Sequence, residues 1–146
     1  QALEAATFYT GLFPDSSLGN ISYYPEGSGP FAGKALTVEF TLFGQPFAGL
    51  NGGPVFSHTE AFSLQVHCET QDDVDRIWDA IVGNGGEESQ CGWCKDKWGV
   101  SWQVVPNALP QYLGHSNPAA AQRAYQAMMQ MRKLDVNVLE AAVNGN

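Results

Sequence analysis

The sequence predicts an α+β fold in which two similar modules, each with one helix and several strands, follow each other along the chain. Three observations support this prediction. An alternating pattern typical of a β-hairpin covers residues 35–42 and 45–51. Gly52-Gly53-Pro54 ends this hairpin, because proline lacks the N–H group that a strand ladder requires. A strand–helix–strand–strand–strand order then covers residues 61–106, and the first half repeats it without the leading strand.

The first module is predicted for residues 1–53 and begins with a helix. Apolar side chains recur at helical spacing over residues 2–13, and Pro14 ends the pattern because proline does not continue a helix. Residues 21–24 are predicted to form a short strand. The leading strand of this module would precede Gln1, so we expect the sequence to be part of a longer chain.

A linker, residues 54–60, precedes the second module, which is predicted for residues 61–106. Its first strand covers residues 61–68, and side chains alternate between the two faces of a strand. The apolar face carries Phe62, Leu64, Val66 and Cys68. The polar face carries Ser63, Gln65 and His67. If the apolar face packs against helices, the polar face lines a cavity.

A helix is predicted after this strand. Thr70 is placed to cap it, with Asp73 at the third position of a capping box. The apolar stripe of the helix consists of Val74, Ile77, Trp78, Ile81 and Val82. Residues 90–96 and 100–105 are then predicted to form a hairpin in which Gly99 suits a bulged turn.

Residues 107–146 are predicted to be helical. Asn117 can cap one helix, Pro118 suits its first position, and Asp135 can cap a last short helix. The predicted apolar stripe consists of Ala121, Ala124, Tyr125, Met128 and Met131. We expect this stripe to be buried against the protein's own sheet or against a partner subunit.

Composition and charge exclude several classes of partner. The hydrophobic content of 44% and the charged content of 15% are typical of a folded protein. The net charge of −8 argues against binding to nucleic acid, which requires clustered Lys and Arg. No apolar run approaches the roughly 20 residues of a membrane helix. The three cysteines do not make a complete disulfide framework, so we expect a cytoplasmic protein without membrane or nucleic-acid partners.

Segments over nearly the whole chain carry motifs of one protein family. They are Phe8-Tyr9, Leu12-Phe13-Pro14-Asp15-Ser16, Thr37-Val38-Glu39-Phe40, Leu50-Asn51-Gly52-Gly53-Pro54, Gln90-Cys91-Gly92-Trp93, Lys95-Asp96, Trp98-Gly99, Ser101-Trp102-Gln103-Val104-Val105-Pro106, Ala127-Met128-Met129-Gln130-Met131 and Lys133-Leu134-Asp135-Val136. Together they resemble the PhnB-like branch of the glyoxalase/bleomycin-resistance/dioxygenase (vicinal oxygen chelate) superfamily. The resemblance implies two paired βαβββ modules that form a cupped mixed sheet, C-terminal helices and a homodimer.

Members of this branch often carry the label 3-demethylubiquinone-9 3-methyltransferase, and we do not expect that activity here. A site for S-adenosylmethionine usually needs a glycine-rich turn between a strand and a helix. Gly52-Gly53 is instead followed by Pro54 and a predicted strand.

The resemblance also implies a divalent metal held by His and Glu side chains, and this sequence departs from that pattern. Ala61-Phe62 stands where a ligand His is expected, Gln103 stands where a Glu is usual, and Leu50-Asn51 provides no carboxylate. Neutral amides bind divalent metals weakly compared with Glu and His. We therefore predict no metal site, with a metal as the alternative and the cofactor unknown.

The candidate site residues are polar side chains of the predicted strands, which would form the floor of the cavity, together with Trp93 as an aromatic wall and Cys91 as a thiol if its face lines the cavity. The catalytic candidates are His67, because histidine titrates near neutral pH, and Glu39. The ligand-binding candidates are Asn51, Gln65, Cys91, Trp93 and Gln103. An extended strand would place Cys91 and Cys94 on opposite faces, which disfavours a shared metal or a disulfide. A solvated His67 and purely structural cysteines are the alternatives.

These features predict a protein that binds a small, partly aromatic or polar molecule in a cupped cavity lined by apolar sides and a few hydrogen-bonding groups. Two alternatives stay open at this point. One is an atypical lyase, isomerase or dioxygenase that uses a divalent metal, or His67 and Glu39 alone. The other is a structural or interaction role for the dimer.

Overall fold

The computed structural model describes all 146 residues, and contacts within the chain divide it into two units, Gln1–Ser57 and His58–Asn146. The fold has two small open sheets, one in each unit, and five α-helices. This architecture confirms the predicted α+β class. None of the helices combines the length and the apolar character that crossing a bilayer requires.

The first unit consists of one helix on an antiparallel sheet. Its elements are α1 (Ala2–Leu12), β1 (Ser17–Tyr23), β2 (Ala35–Leu42) and β3 (Gln45–Leu50). The strands lie in the order β1-β2-β3, and α1 packs on them. Strand β1 is longer than the predicted residues 21–24, because Ser17 pairs with Thr41 and Leu18 with Phe40 of β2. The sequence of residues 17–20 does not show these partners, because they lie more than 20 positions further along the chain.

The second unit begins with the predicted strand–helix–strand–strand–strand order. Its elements are β4 (Ser63–Cys68), α2 (Gln71–Gly83), β5 (Glu87–Glu88), β6 (Trp93–Lys95) and β7 (Ser101–Pro106). The strand order is β4-β7-β6-β5, with β4 parallel to β7 and the other pairs antiparallel. The predicted cap of α2 is confirmed, since the Thr70 side chain accepts a hydrogen bond from the Asp73 N–H.

The strand predicted for residues 90–96 is wrong over its first half. Cys91 and Gly92 have φ angles of 56° and 85°, so the backbone turns before β6 begins. This turn is held by the C-terminal region: the Cys91 N–H donates to the Met131 carbonyl at 2.9 Å, and the Gly92 N–H donates to the Arg132 carbonyl at 2.7 Å. Cys91 is therefore not on an extended strand with Cys94.

Three helices complete the second unit. They are α3 (Leu109–Leu113), α4 (Pro118–Met129) and α5 (Val136–Asn144). Both predicted caps are confirmed, because Asn117 accepts from the Ala119 N–H and Asp135 accepts from two N–H groups of α5. The predicted stripe of α4 is partly wrong, since Tyr125 is 49% exposed. The buried face is formed by Ala120 and Ala124, which are small enough for a close approach.

Candidate functional site

The sheet of the second unit has one apolar and one polar face. Helix α2 packs on this sheet. The buried residues of the apolar face include Val66, Cys68, Cys94, Trp102 and Val104. Because side chains alternate along each strand, Gln65 of β4, Gln103 of β7 and Trp93 of β6 share the opposite face. Three of the predicted site residues therefore lie on adjacent strands.

Two of these residues and Ser63 form a hydrogen-bonded chain, which we call the polar row: Ser63, Gln65 and Gln103. The Gln103 Nε2 donates to the Ser63 Oγ at 2.9 Å, and the Gln65 Nε2 donates to the Gln103 Oε1 at 3.2 Å. Within the polar row, the side-chain oxygen of Gln65 stays available to accept a hydrogen bond from a ligand, and the Ser63 hydroxyl stays available to donate one. The alternation of the strand correctly predicted Ser63 on this face, but Ser63 was not among the predicted site residues.

Trp93 lies next to the polar row. It is the register partner of Gln103 in the antiparallel β6–β7 pair, and such partners have Cβ atoms about 4.5–5.5 Å apart. Its ring is half-buried. Trp93 and the polar row thus combine an aromatic surface with hydrogen-bonding groups that carry no charge.

The two catalytic candidates lie in different units. His67 is exposed on β4, two residues after Gln65, and its side chain has no hydrogen-bond or ion-pair partner in the structure. Glu39 is exposed on β2, where its carboxylate accepts a hydrogen bond from the Asn20 amide at 3.2 Å. A general base is normally oriented by a second group, and His67 has none within its unit. Their catalytic roles stay predictions.

Asn51 of the first unit makes structural hydrogen bonds with all its polar atoms. Its side-chain oxygen accepts from the Ala2 N–H at 3.0 Å, and its side-chain nitrogen donates to the Ala35 carbonyl at 3.0 Å. Its main-chain carbonyl accepts from the Tyr24 hydroxyl at 2.5 Å. The residue therefore ties the start of α1 to β2 and to Tyr24. Its role in ligand binding stays a prediction.

The three cysteines are free thiols in different environments. Burial raises the pKa of the Cys68 thiol to about 11, with a smaller effect of the Asp73 carboxylate. Burial likewise raises the pKa of Cys94 to about 12, with smaller effects of Asp96 and Glu88. Cys91 is half-buried, and its sulfur lies 3.7 Å from the sulfur of Met129.

These differences predict selective thiol labelling. The thiolate is the reactive form, and a raised pKa keeps Cys68 and Cys94 protonated in the folded protein from neutral pH to about pH 9. We expect iodoacetamide at pH 8 to modify Cys91 alone in the native protein and all three cysteines in urea, as measured by peptide mass spectrometry. A native Cys91→Ser variant should stay unmodified. Modification of Cys68 or Cys94 at a comparable rate in the native protein would contradict this prediction.

The residues at the expected metal-ligand positions do not fit a divalent cation. Both amide atoms of Gln103 already make hydrogen bonds within the polar row. The side chain of Asn51 is likewise bonded to the backbone of Ala2 and Ala35. No group of three or more His, Cys, Asp or Glu side chains is arranged to hold a metal ion.

Known proteins resemble this chain in sequence and in fold. The profile of the family described as 3-demethylubiquinone-9 3-methyltransferase matches residues 1–105. The solved structure of the PhnB protein from Bacillus cereus, which bears the same methyltransferase description, is 34% identical, with a TM-score of 0.66. That match covers 72% of this chain and 90% of the Bacillus protein.

A second solved structure supports the fold alone. It is a protein of Pseudomonas aeruginosa that is 17% identical, with a TM-score of 0.53, and the match covers 70% of this chain and 86% of the other. No curated protein matches this chain.

Proposed function

This chain belongs to the 3-demethylubiquinone-9 3-methyltransferase family of PhnB-like proteins, and we propose that it binds a small, partly aromatic or polar molecule at the polar row. The observation that carries this proposal is the chain of hydrogen bonds from Ser63 through Gln103 to Gln65 beside Trp93. Binding sites for small molecules typically combine an aromatic or apolar surface with a few fixed hydrogen-bonding groups.

The chemistry of the polar row favours an uncharged ligand group. The free carbonyl oxygen of Gln65 accepts a hydrogen bond, and the Ser63 hydroxyl donates one, so a ligand hydroxyl or carbonyl finds a partner. Lys95, a charged side chain on this face, is paired with Glu60. Trp93 provides a flat surface on which an aromatic ring stacks favourably.

We propose binding rather than methyl transfer or another catalysed reaction. Gly52-Gly53 follows β3, and the next regular element is β4, so the strand–turn–helix context of a nucleotide-type cofactor site is missing. His67 lacks an orienting partner, which argues against general-base catalysis by this residue alone. The homodimer that the resemblance implies stays a prediction.

The test is a calorimetric screen of the purified protein against a metabolite library, followed by titration of the Gln103→Leu variant. Leucine removes both hydrogen bonds of Gln103 while keeping its approximate size, and we expect about a tenfold loss of affinity. The matched control is Gln111→Leu, which changes an exposed glutamine of α3 and should bind like the wild type.

Two results would reject the proposal. One is a wild-type protein that binds nothing in the library. The other is a Gln103→Leu variant that is folded, as shown by its circular dichroism spectrum, and binds with unchanged affinity.

A further inference from the structure

A cavity of about 490 Å³ lies in the first unit, where β1 and β3 end and β2 begins. Its walls include Tyr24, Phe31, Lys34, Leu50 and Asn51. The volume is within the range of roughly 300–1,000 Å³ that is typical of small-molecule sites. Only Asn51 of these residues was a predicted site residue, because the others are dispersed over strand ends and a loop.

The apolar walls of this cavity are fixed and partly uncovered. The rings of Tyr24 and Phe31 pack against each other with centroids 5.5 Å apart. The Tyr24 hydroxyl donates to the Asn51 carbonyl at 2.5 Å, which holds the ring in place. Phe31 is 52% exposed and Leu50 is 64% exposed, so a ligand that covers them removes apolar surface from water.

Lys34 is the one charged side chain that lines the cavity, although the chain has a net charge of −8. Lys34 is the one basic residue of the first unit, and its ammonium group makes no ion pair with a carboxylate. The ammonium group lies over the Phe31 ring, 5.9 Å from the ring centroid. Four other basic side chains of the protein do pair with carboxylates: Arg76, Lys95, Arg132 and Lys133. None of the residues that line the cavity is acidic.

Main-chain donors line the same cavity as Lys34. Gly52 and Gly53 line the same cavity, and their N–H groups donate to no acceptor within the protein. An ammonium group and N–H donors that line one cavity match the acceptor oxygens of a carboxylate, and hydrogen bonds to ionised acceptors are stronger than those between neutral groups.

We propose that this cavity binds a small organic carboxylate with an apolar or aromatic body. The carboxylate pairs with Lys34 and the N–H groups of Gly52 and Gly53, and the body covers Phe31 and Leu50. This site lies in the first unit and does not depend on the ligand proposed for the polar row of the second unit.

The test compares benzoate with benzamide, a neutral molecule of nearly the same shape, by following backbone amide signals of the full chain in nitrogen-15 NMR spectra. We expect benzoate to shift the signals of Leu50, Gly52 and Gly53 and to bind about fivefold more tightly than benzamide. The Lys34→Met variant should lose this preference, because methionine keeps the length of the side chain without its charge. The Lys97→Met variant makes the same change in net charge in the second unit and should keep the preference.

Three outcomes would overturn the proposal. They are equal affinity of the wild type for benzoate and benzamide, unchanged benzoate affinity in Lys34→Met, and shifts confined to residues outside the cavity. Signals of Gln65 and Gln103 report the polar row separately, so the two sites are tested independently in one spectrum.

Discussion

Replacing Asp96 with alanine is expected to lower the free energy of unfolding by about 3–5 kcal/mol. Asp96 is 4% exposed, and its carboxylate holds the turn between β6 and β7. One oxygen accepts from the N–H groups of Trp98 at 2.9 Å and Val100 at 3.0 Å, and the other accepts from the indole N–H of Trp102 at 2.8 Å. Alanine would leave the buried indole N–H of Trp102 and the two part-buried main-chain N–H groups without their acceptor, and an unsatisfied buried group costs about 1–3 kcal/mol.

Urea unfolding followed by tryptophan fluorescence measures this loss. The Asp96→Asn variant should lose less, since its amide oxygen still accepts from one side of the turn. Glu140→Ala removes the same charge from an exposed position on α5 and should stay within about 0.5 kcal/mol of the wild type. A loss below about 1 kcal/mol for Asp96→Ala would show that this carboxylate does not organise the turn.

Replacing Gly86 with alanine is also expected to have a large effect and should lower the free energy of unfolding by about 3 kcal/mol. A Cβ atom at Gly86 would lie 2.5 Å from the carbonyl oxygens of both Ile81 and Lys95. Both contacts are with backbone atoms, one in α2 and one in β6, so the helix and the strand would have to separate.

Gly83, the last residue of α2, provides a matched control for the substitution at Gly86, which lies between α2 and β5. A Cβ atom there meets nothing within 4 Å, so alanine should be neutral or should stabilise the helix by up to about 1 kcal/mol. Thermal and urea unfolding of the two variants, measured side by side, test the pair. Equal stabilities for Gly83→Ala and Gly86→Ala would show that α2 and β6 do not approach as closely as described.

The sequence predicted correctly the helices and strands that depend on residues close to one another in the chain. Thr70 and Asp135 cap helices through their own side chains, and the alternation of residues 63–68 fixes which side chains share a face. Partners distant in sequence were not predictable in the same way. The turn at Cys91 depends on carbonyl groups of Met131 and Arg132, which are about 40 positions further along the chain.

In the candidate site, too, the face on which a side chain lies was predictable, whereas its partners distant in sequence were not. Parity along the strands placed Gln65 and Gln103 on polar faces, but only the parallel register of β4 and β7 brings them within hydrogen-bonding distance. The structural bonds of Asn51 and the cavity around Lys34 arise where strand ends and a loop meet. No periodic pattern in the sequence predicts where strand ends and a loop meet. The one available signal was that Lys34 is the only basic residue among the first 57.

Nitrogen-15 NMR spectra of the side-chain amides of Gln65 and Gln103, recorded while a metabolite from the screen is added, examine the polar row itself. We expect both amide signals to shift in proportion to saturation, together with the indole N–H signal of Trp93. If a metabolite binds and these three signals stay unchanged, the polar row is not the binding site, and the proposed function is wrong.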